Sequence, residues 1–159
     1  MKQRAYTIRI AEYEGLEDLP ARSELVTMAK EAAGKAYAPY SRYQVGAAVL
    51  LENGQIYTGN NQENAAYPSG LCAERVAIFY AGAQHPDVPV VSIAIAAFTD
   101  GKFQDEPVPP CGGCRQVLYE KESQGGSPME VILYGNNRIQ VLRSASDLLP
   151  IPFVFKNGV

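Results

Sequence analysis

Apolar and polar positions change rhythm several times along this chain, and each change marks an element. Residues 5–11 alternate, with Tyr6, Ile8 and Ile10 on one face, and predict a short strand. Residues 12–19 are acidic and loop-like. From Pro20 to about Ala36 the residues Leu25, Met28, Ala29, Ala32 and Ala36 form a helical stripe, with Asp18 or Ser23 as its candidate cap. Pro39 forces a loop. Val45 to Leu51 reads as a buried strand, Glu52-Asn53-Gly54 as a hairpin turn, and Gln55 to Gly59 as the returning strand.

A polar loop from Asn60 to Gly70 leads into a helix over about Cys72 to Ala83. Val88 to Phe98 has the continuous apolar character of a strand buried on both faces. A second helix opens at Cys111 and runs to about Glu122. Val131 to Tyr134 and Arg138 to Leu142 follow as strands, and Ser144 to Leu149 as a short helix. The tail, Pro150 to Phe155, is apolar but too rich in proline for a central strand. No repeat or linker divides the chain. The pattern predicts one domain over 1–159, residues 1–20 being an N-terminal extension with a short strand. Its expected architecture is a three-layer αβα sandwich around a mixed sheet of about five strands.

Composition narrows the function classes. With 159 residues, 47% of them apolar, the chain can bury an ordinary core. Its net charge is −3, and no basic stripe is present to neutralise phosphates, so a small uncharged ligand suits it better than a nucleic acid. No signal-peptide core or membrane-length apolar run is seen, and an odd number of cysteines argues against a disulfide framework. A reduced, cytoplasmic protein is the expectation.

The candidate chemistry lies in those three cysteines. Cys72 stands in Cys72-Ala73-Glu74, and Cys111 and Cys114 in Pro110-Cys111-Gly112-Gly113-Cys114. Three thiolates can hold zinc and leave its fourth position open to water, while Glu74 moves that water's protons. Both motifs fall where a loop turns into a helix, whose positive N-terminus favours thiolates. A helix would point residues two apart in opposite directions, so the motif requires Cys72 at the turn, before the helix proper. The only histidine, His85, has no ligand spacing. Zinc on three thiolates carries net negative charge, which Arg75 and Arg115 are placed in sequence to offset; each could equally be a solvated surface arginine. A Cys-x-x-Cys dithiol is the redox alternative, but it would leave Cys72 and Glu74 without a role. A closed structural zinc site needs a fourth ligand.

These motifs match those of zinc-dependent nucleobase deaminases. The wider sequence resembles the small cytidine deaminase family, in its all-cysteine, homotetrameric branch. The likeness is carried by Tyr37-Ala-Pro-Tyr-Ser41, Val45-Gly-Ala-Ala48, Gly59-Asn-Asn-Gln-Glu-Asn64, Cys72-Ala-Glu-Arg75, Pro110-Cys-Gly-Gly-Cys-Arg-Gln116 and Leu148-Leu-Pro-Ile-Pro-Phe153. It implies zinc on Cys72, Cys111 and Cys114, one ion per subunit, and proton transfer by Glu74. It implies ribose contacts from Asn61 and Glu63, base contacts from Tyr43 and the Ala73 backbone, and contributions of Tyr67 and Phe153 to a neighbouring subunit's site. Tyr43 stands where the family commonly has Phe, Asn60 replaces a frequent Cys and Val76 a frequent Thr.

The implied reaction is hydrolytic deamination of cytidine and 2′-deoxycytidine to the uridines, a step of pyrimidine salvage. Three alternatives differ in particular residues. Deaminases of blasticidin S share the cysteine motifs but lack the Asn-x-Glu-Asn stretch present at 61–64. Those acting on transfer RNA or deoxycytidylate place His at the Cys72 position. A zinc-bearing module that binds nucleosides without turnover has no use for Glu74.

Overall fold

The computed structural model describes residues 1–155. Seven strands form one sheet: β1 (Ile10–Tyr13), β2 (Gln44–Leu51), β3 (Ile56–Asn60), β4 (Val90–Thr99), β5 (Lys102–Phe103), β6 (Glu130–Tyr134) and β7 (Ile139–Leu142). Their order is β1-β7-β6-β4-β2-β3, with β5 paired to the end of β4. β4 and β6 run parallel and the remaining pairs antiparallel. Three helices cover the sheet: α1 (Ser23–Ala33), α2 (Ala73–Gln84) and α3 (Gly112–Gly125).

Strand alternation decides the layers. Ala47, Val49 and Leu51 of β2 face α2 and α3, in a core completed by Ile78, Ile93, Leu118 and Leu133. Ala48 and, on neighbouring strands, Ala94, Ala96 and Ile132 face α1 through Leu25, Val26 and Ala29. The three-layer mixed sandwich expected from the pattern is therefore present. Small residues set the spacing between layers. A Cβ on Gly46 would lie 2.0 Å from the Ala29 carbonyl oxygen, and one on Gly59 2.4 Å from the Ala77 nitrogen. Glycine is required at both because helix backbone packs directly on the strand.

Several boundaries differ from expectation. The sheet has seven strands, not five, because β1 and the two-residue β5 add short edge ladders. The strand expected over 5–11 forms only over 10–13, where β7 supplies partners from Ile10↔Leu142 to Tyr13↔Ile139. Tyr6 and Ile8 have the alternation but no partner strand, and both are exposed. Helix α1 starts at Ser23, after a 3-10 turn over Pro20–Arg22, and ends at Ala33. Neither Asp18 nor Ser23 caps it: the cap position is Arg22, and the Ser23 hydroxyl donates to the Pro20 carbonyl. The last expected helix is a 3-10 turn over Ala145–Leu148, capped by Ser144.

One buried carboxylate ties that turn to the helical layer. Glu122, near the end of α3, accepts from the backbone N–H groups of Met129, Ala145 and Ser146 and from the hydroxyls of Ser144 and Ser146. Burial pushes its pKa up, but these donors outweigh burial and hold it below the usual carboxylate range. Glu122→Ala strands those donors and should destabilise the fold by about 3 kcal/mol in denaturant unfolding. Because the folded pKa is the lower one, this stabilisation is present above the unfolded value of about 4.3. It fades as pH falls from there through the folded pKa, so the gap between the wild type and Glu122→Ala should narrow in acid.

Candidate active site

Helices α2 and α3 lie on the same sheet face and bring their N-termini together. Cys72 is the extended cap residue of α2 (φ −73°, ψ 154°) and Cys111 that of α3 (φ −65°, ψ 166°). Cys72 therefore precedes the helix and Glu74 lies in its first turn, the arrangement that the Cys-x-Glu spacing requires. Cys114 is in the first turn of α3 and fully buried.

The three sulfurs converge. Cys72 Sγ lies 3.8 Å from Cys111 Sγ, Cys111 Sγ lies 3.5 Å from Cys114 Sγ, and all three fall within 4.8 Å of one another. Tetrahedral zinc with Zn–S bonds of about 2.3 Å sets its sulfurs about 3.8 Å apart. The donor set and its spacing fit that ion. No fourth cysteine, histidine or carboxylate joins the group among the described residues, so a ligand position is left for solvent or substrate.

Charge is distributed unevenly over these thiols. The Cys72 pKa is lowered to about 5, first by a hydrogen bond from Cys114 and then, against burial, by Arg75. The same bond together with burial pushes Cys114 up, so negative charge is favoured on Cys72 over Cys114. Arg75 Nη2 donates to Cys72 Sγ at 3.5 Å, and its Nε is buried without a hydrogen-bond partner. Glu74 is 5% exposed; burial pushes its carboxyl pKa up, and the Cys72 charge adds to the effect. A buried carboxyl beside a metal-ligand cluster, raised toward neutrality, suits proton transfer.

Arg115 departs from expectation. Its Nε donates to the Pro110 carbonyl at 2.8 Å and its Nη1 to the Leu148 carbonyl at 3.3 Å. It ties the residue before Cys111 to the 3-10 turn that ends at Leu148, and no hydrogen bond joins it to a thiolate among the described residues. Backbone carbonyls are strong acceptors, and these two lie within reach of the guanidinium.

A cavity of about 500 Å³ opens beside Cys72, lined by Tyr40, Ser41, Asn61, Gln62, Glu63, Asn64, Tyr67, Gly70, Leu71 and Arg75 as well. Its volume lies in the range of small-molecule sites. Backbone pairing fixes its wall. Gln62 and Leu71 exchange N–H···O bonds of 2.9 Å, Tyr37 N–H donates to the Asn61 carbonyl, and Glu63 N–H to the Tyr37 carbonyl. Asn61 Oδ1 accepts from Val45 N–H and its Nδ2 donates to the Tyr43 carbonyl, both at 2.8 Å. One N–H and one lone pair of that amide stay free for a ligand.

Glu63 accepts from Tyr40 N–H, Ser41 N–H and the Ser41 hydroxyl, and the hydroxyl is the main cause of its lowered pKa. An ionised carboxylate lining a cavity is a ready acceptor for hydroxyl groups. Tyr67 lines the cavity of its own protomer, edge-on to Tyr40 at 6.3 Å. Tyr43, half-buried with a phenol pKa raised by burial, lies outside the lining, as do the buried Ala73 and the exposed Phe153. Ser41 is a cavity residue that the sequence does not single out: it lies inside the Tyr37–Ser41 stretch, but nothing there signals a bond to Glu63.

Comparison with known proteins places this geometry. The pattern described as the cytidine and deoxycytidylate deaminase zinc-binding region matches residues 20–124. The chain belongs to that family. Cytidine deaminase of Halalkalibacterium halodurans is 48% identical over 100 residues, 62% of this chain and 70% of the relative. That of Mycobacterium tuberculosis is 39% identical over 125 residues, 79% of this chain and 84% of the relative. The crystal structure of cytidine deaminase from Burkholderia pseudomallei superposes with a TM-score of 0.70 at 42% identity, covering 82% of this chain and 97% of that one. The deaminase family's zinc site thus falls on the segment that holds all three cysteines and Glu74.

Proposed function

We propose that this family member is a cytidine deaminase, converting cytidine and 2′-deoxycytidine with water to the uridines and ammonia. The single observation carrying this is the convergence of three cysteine sulfurs and a buried Glu74 at the edge of a nucleoside-sized cavity. Relatives named cytidine deaminase, at up to 48% identity, support the same substrate. The Asn-x-Glu-Asn stretch that separates this chain from the blasticidin S deaminases in sequence lines the cavity, which favours an ordinary cytosine nucleoside.

Cys72, Cys111 and Cys114 would hold the zinc, which when bound would activate a water for attack on the base. Glu74 accepts a proton from the attacking water, delivers it to ring N3, and then moves a second proton to the amino group, which departs as ammonia. Its burial serves this role, since a carboxyl raised toward neutrality both takes and gives a proton readily. Arg75 donates to Cys72 and offsets thiolate charge. Asn61 and Glu63 bind the ribose hydroxyls from the cavity wall. Tyr43 and the Ala73 backbone meet the base once it is seated.

The reading extends to a homotetramer in a reduced cytoplasm, with the whole chain acting as one domain and Tyr67 and Phe153 reaching a neighbour's site. Exposed aromatic residues support assembly: Phe79 and Tyr80 on α2, with Phe153 and Phe155 in the tail. No helix among the described residues is long and apolar enough to cross a membrane. Light scattering should give four protomers' mass. The test of function is the fall in ultraviolet absorbance as zinc-loaded protein converts cytidine to uridine. Turnover of both the ribo- and deoxyribonucleoside is expected; no turnover by a folded, zinc-loaded protein overturns the assignment.

A further inference from the structure

The segment after β7 is tied to α3 at Leu148 and Phe153. Two consecutive side chains at the start of α3, directly after Cys114, fasten it. Arg115 holds the Leu148 carbonyl, and Gln116 takes both polar groups of one distant residue: its Nε2 donates to the Phe153 carbonyl at 2.9 Å, and its Oε1 accepts from Phe153 N–H at 3.0 Å. A side-chain amide that pairs with both the N–H and the C=O of one residue copies the paired bonds of an antiparallel ladder. It fixes where that residue sits and which way its side chain leaves the backbone. Phe153 is 71% exposed, so its ring is not packed into the protomer that holds its backbone. Ile151, Val154 and Phe155 beside it are exposed as well, so the anchored segment presents a run of apolar side chains of the kind that marks a contact surface.

We infer that Gln116 is a positioning residue for substrate binding, mounting Phe153 on the metal-bearing helix so that its ring completes a nucleoside site. This rests on the proposed reading that Phe153 meets substrate in an adjoining protomer. The mount grows from the helix that carries Cys114 and is capped by Cys111, so it joins the Phe153 segment to the metal-ligand cluster of its own protomer. Gln116 itself touches no reacting atom, so its loss should weaken substrate binding and spare the chemical step.

The test is a cycle of Gln116→Leu, Phe153→Ala and the double variant, each as the zinc-loaded assembly. In Gln116→Leu, hydrogen exchange of the Phe153 amide should accelerate about tenfold, since its acceptor is gone. The KM for cytidine should rise about fivefold with kcat held within about twofold. In the Phe153→Ala background, Gln116→Leu should add nothing further. Unchanged exchange, or KM effects that add in the double variant, would show that Gln116 does not act through Phe153. A Phe153→Ala protein with unaltered KM would remove the ring from the site, and the positioning role with it. Failure of the wild type to deaminate cytidine is a separate outcome: it removes the substrate assignment, while the exchange measurement still reports the mount.

Discussion

Glu74→Gln should keep its zinc and its fold and turn cytidine over about ten-thousand-fold more slowly. The substitution preserves side-chain volume in a position that is 5% exposed, so no cavity opens. It removes the only group in the first turn of α2 able to carry a proton between water, ring nitrogen and leaving amine. Burial raises the pKa of this carboxyl, which means the folded protein penalises its charge. Neutral glutamine escapes that penalty, and the thermal midpoint should hold or rise slightly. Loss of activity without loss of stability is the mark of a residue kept for chemistry. Parallel measurement of kcat, zinc content and melting temperature checks it; a variant within tenfold of wild-type kcat would remove Glu74 from proton transfer.

The cysteine trio gives the second large effect, and burial separates its members. Cys111→Ser should abolish bound zinc and turnover together, yet hardly change the stability of the metal-free protein, because Cys111 is exposed and contributes little packing. Cys114→Ser should lose the same metal and also destabilise the metal-free fold by about 1–2 kcal/mol, since Cys114 is fully buried against the core layer. Chelation of the wild type should reproduce the Cys111→Ser phenotype, with zinc restoring activity. Metal analysis with denaturant unfolding of both apoproteins reads the two effects apart. Equal apoprotein stabilities would contradict the burial argument, and retained zinc in Cys111→Ser would contradict the three-thiolate site.

How much of this could be read in the sequence depended on how local each feature is. The helix starts at Cys72 and Cys111 were legible because the Pro68-Ser-Gly-Leu71 stretch and the Pro-rich loop ending at Pro110 stand directly before them. The hairpin of β2 and β3 and the buried run of β4 were legible for the same reason. Partnership was not. The alternation of Tyr6, Ile8 and Ile10 gives a face but not an edge to pair with, and β7 reaches only as far as Ile10. Arg115 follows a ligand in sequence, which leaves its target open; its bonds go to the Pro110 and Leu148 carbonyls, and only the fold brings the second near. In the sequence Glu122 marks only the approximate end of a helix, because its hydroxyl and amide donors come from residues 129 and 144–146. Periodicity reports burial, whereas hydrogen-bond partners across the fold leave no trace in it.

The most direct measurement is made in water enriched in heavy oxygen, with zinc-loaded protein and cytidine, reading the product by mass. Hydrolytic deamination predicts ammonia and uridine carrying one labelled oxygen on the base, at the carbon that lost its amino group. Uridine without label would contradict attack by water, and unchanged cytidine would contradict the assignment of this site as a cytidine deaminase.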